Sequence, residues 1–321
     1  MSMQLKGAPG PEVPPVDALE AARENTAGPK APRQRGELWA WLCLLPATIL
    51  FLVFDFWPFF RALYLSFTST DLFGRPAGFT GFDNYLNMFS DPTFLSTFSR
   101  TLLFTVASVI LKLAIGLAIA LPLSYRMKGT VWMRPVVLIP MAVSTAVGTL
   151  VFRQMFAPVV GLFDQIFMSL GFDQIGWLTS PRMAMISVLI TDVWIGISFV
   201  TLLMLVAIDG IPGEMVEAAN LDGATGSKYV RHIILPSIAP MLLVLSVTQA
   251  MAAMKEFTIF QVLTGGGPGN STRTLVLDIY DLAFGGGTAD FAAASARGMV
   301  LFVIILVLTL IQFRLSNRNN R

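Results

Sequence analysis

The sequence predicts an all-α, polytopic membrane protein with six transmembrane helices and one short cytoplasmic helix on the loop between the fourth and the fifth. Three observations carry this reading. Of 321 residues, 55% are apolar and 13% charged, where soluble domains carry about 25% charged residues; the mean hydropathy is +0.68. The apolar residues fall in unbroken runs, and about 20 helical residues cross a hydrocarbon core of about 30 Å. Lysine and arginine gather on alternate loops, which fixes an orientation.

Composition also excludes several chemistries. A formal net charge of +2 is too small for a strongly basic nucleic-acid binder. Cys43 is the single cysteine and His232 the single histidine. An intrachain disulfide, a multi-cysteine metal site and a His-based zinc cage are therefore all ruled out.

Residues 1–37 contain Pro9, Pro11, Pro14, Pro15, Pro29 and Pro32, charges of both signs and no apolar run. Such a stretch buries too little to offset its ordering entropy, so it reads as a disordered cytoplasmic tail. It is not a signal peptide, whose apolar region would lie near the start. Six runs follow: Leu38–Phe60, interrupted by Asp55; Thr101–Tyr125, by Lys112; Pro135–Phe152, uncharged; Met183–Ile208, by Asp192; Ser237–Met254, uncharged; and Phe291–Phe313, by Arg297. They predict helices over about 38–60, 101–125, 135–157, 183–208, 237–262 and 291–313 in a membrane domain of 38–315, followed by a cytoplasmic tail of 316–321. Barrel strands alternate every second residue over about ten positions, a pattern these continuous runs lack.

With the N-terminus inside, the inner flanks hold Lys30, Arg33, Arg35, Arg126, Lys128, Arg134, Lys228, Arg231, Arg314, Arg318 and Arg321. The outer loops, near 68–100, 158–182 and 263–290, hold Arg75, Arg100, Arg182 and Arg273. The bias places both termini in the cytoplasm.

The inner loop 209–236 is too patterned to be a plain connector. Pro212 suits a first helical turn, Glu214 and Glu217 lie toward the positive end of the helix dipole, and Gly223 suits a left-handed C-cap. A second short helix is expected from Ala224, stopping before Pro236. Glu217, Ala218 and Ala219, then Asp222 and Gly223, then Ile233, Leu235 and Pro236, stand at spacings that resemble the EAA signature of permease subunits of binding-protein-dependent ABC importers. The resemblance implies the type I importer fold and a coupling helix that docks in a cleft on the ATP-hydrolysing subunit. It makes these eight residues the ATPase-coupling set. The physical reading agrees: two alanines allow close approach to a partner, Glu217 can accept hydrogen bonds or pair with a basic group, and Gly223 permits a sharp turn.

Two further stretches resemble the carbohydrate and glycerol-phosphate branch of maltose type: FTGFDNYLNMFSDPTFLSTFSRTLLF at 79–104 and VLTGGGPGNSTRTL at 262–275. Arg100, where many relatives have asparagine, and Thr258, where an acidic residue is common, depart from it. The branch implies a bacterial inner-membrane importer for a sugar or related polyol, working by alternating access. It also implies the partners: a second homologous permease, an ABC ATPase dimer holding ATP and Mg, an extracytoplasmic solute-binding protein, membrane lipid and a sugar-like solute. This chain is expected to bind no cofactor, metal or nucleic acid and to be non-catalytic. GATGSK at 223–228 does not meet the phosphate-loop pattern, because Ser227 separates Gly226 from Lys228 and no strand precedes it.

Charges inside helices are costly in lipid and point to a pathway or a buried pair. Lys112 and Asp192, at comparable depth, either pair across the bundle or face a solute path. Gln249, Lys255 and Glu256 on the fifth helix are candidates for solute contact; snorkelling and helix–helix bonding are the plainer roles. Trp57, Trp177 and Trp194 are more often packing or interfacial residues than sugar platforms. The competing class is an ion-coupled secondary transporter or channel using Lys112, Asp192 and Glu256 as a relay. A membrane scaffold that transports nothing is the third.

Overall fold

A computed structural model describes residues 35–71, 74–124, 130–224, 226–287 and 289–319. The tail expected over 1–37 lies almost wholly outside them. The chain divides into two units, Met1–Phe60 and Arg61–Arg321. In the first, helix α1 (Arg35–Phe51) contains Pro46 and runs into a π turn, Leu52–Phe56. Its apolar side chains are exposed, among them Trp41 and Phe54, as suits a helix solvated by lipid. Helix α2 (Trp57–Leu65) continues the run beyond Phe60, because Arg61 and Tyr64 are interfacial residues that a helix end tolerates.

In the second unit a small antiparallel hairpin, β1 (Thr68–Thr70) and β2 (Pro76–Phe79), pairs Thr68 with Phe79. It is followed by α3 (Asp83–Ser90) and α4 (Pro92–Ser124). Helix α4 starts a full nine residues before the expected Thr101. Asp91 accepts a hydrogen bond from the Thr93 N–H at 2.8 Å and Pro92 follows at N1, a start signal that hydropathy alone does not see. At 33 residues the helix is about 50 Å long, more than the hydrocarbon thickness.

The third run is not one straight helix. Helices α5 (Thr130–Ala142) and α6 (Thr145–Met155) meet at 97°. Pro135 and Pro140 lie inside α5 and each removes a backbone donor; Val143 then closes a tight turn on the Pro140 carbonyl and Ser144 is extended. Next come α7 (Leu162–Ser169), α8 (Pro181–Asp209) and the short α9 (Gly213–Leu221).

The expectation that a helix from Ala224 stops before Pro236 is corrected. Helix α10 (Ser227–Tyr229), a π turn (Val230–Ile234) and α11 (Leu235–Met254) form a single run of 28 residues. In the π turn the Leu235 N–H reaches back five residues to the Val230 carbonyl, and the Ser237 hydroxyl donates to the Ile233 carbonyl at 2.7 Å. These bonds let Pro236, which has no N–H, follow without ending the helix. The run stops at Met254 rather than 262, with Lys255 at its C-cap. Helices α12 (Thr258–Leu263), α13 (Leu275–Phe284) and α14 (Phe291–Asn319) complete the chain. Among the described residues five helices are long and apolar enough to cross a membrane, or six if the bent α5–α6 pair is one span.

The core forms three clusters. One, around Leu123, Met204, Ile208, Ala219, Tyr229 and Ile234, joins α4, α8 and α11 at the end bearing α9. A second, aromatic, cluster gathers Phe104, Phe152, Phe156, Trp177 and Phe260. The third holds Phe94, Met254, Leu275 and Leu301. Close approach of α4 to α8 depends on two glycines: a Cβ on Gly116 would meet Val200 at 2.8 Å, and one on Gly196 would meet Lys112 Cε at 2.7 Å.

Candidate functional site

The predicted coupling residues occupy α9, the turn that closes it, the π turn and the start of α11. Pro212 is the N-cap rather than a residue of the first turn, and Glu214 opens the helix. Ala219 is buried, 4% exposed, in the cluster with Ile208, Tyr229 and Ile234. Glu217 and Ala218 are exposed, as are Met215 at 44% and Leu221 at 90%. One face of α9 is thus bolted to the bundle while Glu214, Glu217, Ala218 and Leu221, spaced at i, i+3, i+4 and i+7, form a stripe on the other.

The helix closes with a Schellman motif. The Ala224 N–H donates to the Ala219 carbonyl at 2.9 Å and the Gly223 N–H to that of Asn220 at 3.1 Å. Asp222 is the C-cap, and Gly223 has φ +71° with no neighbour within 4 Å of a would-be Cβ. Glycine is required there by backbone conformation, not by space. Ile233 packs on the same cluster as Ala219; Leu235 is half-buried and Pro236 exposed. All eight signature residues therefore stand on a continuous path from the exposed α9 stripe into α11.

The charges inside the bundle are brought together in part. Lys112 Nζ lies 2.8 Å from Asp192 Oδ1, with both residues buried, and the Ser108 hydroxyl donates to Asp192 Oδ2 at 2.5 Å. The ammonium and carboxylate are closed on one another. Gln249 is buried on α11. Glu256 accepts a bond from the Ile259 N–H at 2.9 Å, capping α12, and Lys255 is exposed. Among the described residues no hydrogen bond or ion pair joins Glu256 to Lys112 or Asp192, so the three do not line up as a hydrogen-bonded relay. Trp177 packs against Phe156, Phe163 and Phe167, and Trp194 against Phe152. Trp57 is exposed.

Sequence reasoning missed a second charge cluster at the opposite end. Asp278 on α13 accepts from Arg273 Nε at 3.0 Å and from Arg297 of α14. Arg273 also reaches Asp281 at 3.1 Å, and Arg297 reaches Asp91 at 3.7 Å while its guanidinium stands over the Phe94 ring. Asp278 ties the glycine-rich loop and α13 to α14 through Arg273 and Arg297, and Arg297 in turn reaches Asp91 at the start of α4. The signal was present: Arg297 is the lone charge of an apolar run and had to find a partner. The loop itself is built, with Thr264 and Thr272 hydroxyls 2.7 Å apart, Thr272 donating to the Gly267 carbonyl and the Leu275 N–H donating to Thr101. Among the described residues no group of three or more His, Cys, Asp or Glu side chains is placed to hold a metal.

Comparison with known proteins gives consistent likenesses. The profile of the family described as "binding-protein-dependent transport system inner membrane component" matches residues 112–321. The chain is 34% identical over 279 residues, 86% of itself and 92% of the relative, to the trehalose/maltose transport system permease protein MalF of Thermococcus litoralis. It is 35% identical over 282 residues, 87% of itself and 90% of the relative, to the sulfoquinovosyl glycerol transport system permease protein SmoG of Agrobacterium fabrum. It is 32% identical over 277 residues, 85% of itself and 93% of the relative, to the sn-glycerol-3-phosphate transport system permease protein UgpA of Rhizobium meliloti. Among solved structures, a chain of a bacterial alginate ABC transporter crystallised with its alginate pentasaccharide-bound periplasmic protein superposes with a TM-score of 0.77. That match has 23% identity and covers 89% of this chain and 96% of the other, a likeness of fold.

Proposed function

Because the chain belongs to the family of inner-membrane components of binding-protein-dependent transport systems, we propose that it is the permease subunit of an ATP-driven importer for a sugar or related polyol. The transport systems named for trehalose and maltose, sulfoquinovosyl glycerol and glycerol phosphate among its relatives support the solute class. In this reading the chain sits in the bacterial inner membrane with both termini in the cytoplasm. It pairs with a second, homologous permease and with an ABC ATPase dimer, and takes solute from an extracytoplasmic binding protein. ATP and Mg belong to the ATPase, and this chain contributes no catalytic group.

The observation that carries the reading is α9, anchored by Ala219 and exposing Glu217 and Ala218. A helix whose inner face is locked to the cluster of Ile208, Tyr229 and Ile234 moves with α8 and α11 as a body. Small side chains on the outer face admit a cleft wall closely, and Leu221 offers an apolar anchor beside them. Closure of the ATPase dimer displaces α9, and the Schellman turn and π turn pass that displacement to α11. The membrane helices then rock between outward and inward openings. The ion-coupled alternative lacks a comparable support, since Lys112 and Asp192 satisfy each other.

The test is biochemical. An ATPase is expected to co-purify with this chain in detergent, and Ala218→Cys is expected to cross-link to it. Gly223→Pro, incompatible with φ +71°, is expected to abolish solute-stimulated ATP hydrolysis while membrane insertion persists. Purification without an ATPase, or undiminished stimulation in Gly223→Pro, overturns the assignment.

A further inference from the structure

Between the early turns of α4, the start of α8 and the glycine-rich loop lies a cavity of about 590 Å³. Arg100, Phe104, Met185, Leu189, Gly269 and Ser271 line it, and no carboxylate is among its walls. Arg100 Nη1 is buried without a hydrogen-bond partner, and so is Ser271 Oγ. Among the described residues no acidic group lies within ion-pair distance of Arg100, whereas Arg134, Arg273 and Arg297 all have one. A guanidinium with an unmet donor in a hydrocarbon-walled cavity is costly as it stands. A small rotation of this half-buried side chain would bring the unmet donor to a sulfonate, phosphate or carboxylate entering the cavity, and the planar fork of arginine matches two oxygens of such groups. The volume lies within the range of small-molecule pockets, about 300–1,000 Å³, and Phe104 and Leu189 supply apolar wall for a carbon skeleton. Arg100 lies twelve positions before Lys112 on α4, about 18 Å nearer the end that carries the glycine-rich loop.

We propose that this cavity is a subsite for the anionic group of an acidic sugar or polyol, with Arg100 as the charge-bearing donor and Ser271 as a second donor. The proposal rests on the permease reading above and narrows it: the solute carries a negative charge. In the orientation given there, the subsite stands at the outward mouth, where solute leaves the binding protein. The role of Arg100 is selection, and a neutral sugar gains nothing from it.

The assembled transporter in phosphatidylcholine nanodiscs provides the test. Cys43→Ser removes the native thiol and Met185→Cys places a reporter in the cavity wall, read by its rate of reaction with a neutral maleimide. Glycerol 3-phosphate, glucose 6-phosphate or glucuronate is expected to slow labelling, and glycerol and glucose at equal ionic strength are not. Arg100→Gln is expected to raise the half-protecting concentration ~10- to 100-fold, the worth of a charge-assisted bond, and Arg100→Lys to fall between. Equal protection by neutral and acidic compounds, or undiminished protection in a monodisperse Arg100→Gln complex, overturns the subsite. So does protection conferred by phosphatidylglycerol in the disc with no response to soluble acids, which assigns the cavity to a lipid headgroup. ATP-driven uptake by the same reconstituted complex separates the two readings. Uptake of neutral sugars alone, indifferent to Arg100→Gln, removes the subsite and leaves the permease; absence of any ATP-coupled uptake removes the permease itself.

Discussion

Lys112 and Asp192 hold each other in place because neither has water to fall back on. Their 2.8 Å contact is completed by Ser108 on the carboxylate and by Gly196, whose missing side chain leaves room for the lysine stem. Removing one partner strands the other, at a cost of about 3–5 kcal/mol, while replacing both by apolar residues is often neutral. Asp192→Leu is therefore expected to lower the thermal midpoint of the purified transporter strongly, and Lys112→Met with Asp192→Leu to recover most of the loss. Should the single variant keep its midpoint and lose only uptake, the pair belongs to the solute path instead. Lone charges at comparable depth in two apolar runs made the Lys112–Asp192 pair one of two readings the sequence allowed, and the 2.8 Å contact selects it over an open solute path. For Arg297 the partner, Asp278, lies on a helix too short to register as a span, so the outer charge cluster went unread.

At the scale of elements, the sequence was most informative where hydropathy decides and least where backbone hydrogen bonding does. Runs of apolar residues located the five long helices, but two ends and one bend follow local chemistry. Asp91 and Pro92 start α4 early, Pro140 turns the third run by 97° at its middle, and a π turn carries α11 past Pro236. The α4 start gives a titratable prediction. The Thr93 backbone N–H bonded to Asp91 holds that carboxyl below its ordinary range, helped by Arg297. A depressed carboxylate contributes stability that is complete above its unfolded value and is lost as pH falls through the folded one. Anchoring of the first turn of α4, followed by amide exchange over 92–97, is thus expected to weaken only in acid. Asp91→Ala, at a cost of about 1 kcal/mol, is expected to produce the same fraying at neutral pH, and Asp91→Asn to retain the cap. Exchange that ignores both pH and Asp91→Ala would show that tertiary packing of Phe94 alone fixes this end.

Over the whole molecule, everything assigned to the two ends of the bundle depends on which end faces the cytoplasm. Helices α4 and α8 both run from the end bearing the glycine-rich loop to the end bearing α9, and α11 runs back, so these two features stand at opposite ends. The excess of lysine and arginine falls on the α9 end, where Arg134 also binds the Leu123 carbonyl at 3.1 Å and approaches Asp209 at 3.6 Å. Cationic flanks resist translocation, and on that ground α9 is expected inside. The orientation is measurable in intact spheroplasts with a membrane-impermeant maleimide after Cys43→Ser. Asn270→Cys on the glycine-rich loop is expected to label from outside, and Ala218→Cys only after permeabilisation. The reverse pattern would set the α9 stripe beyond the reach of any cytoplasmic ATPase and Arg100 away from any binding protein. A single inverted result would remove both sites at once, because the fold holds them at opposite ends of α4 and α8.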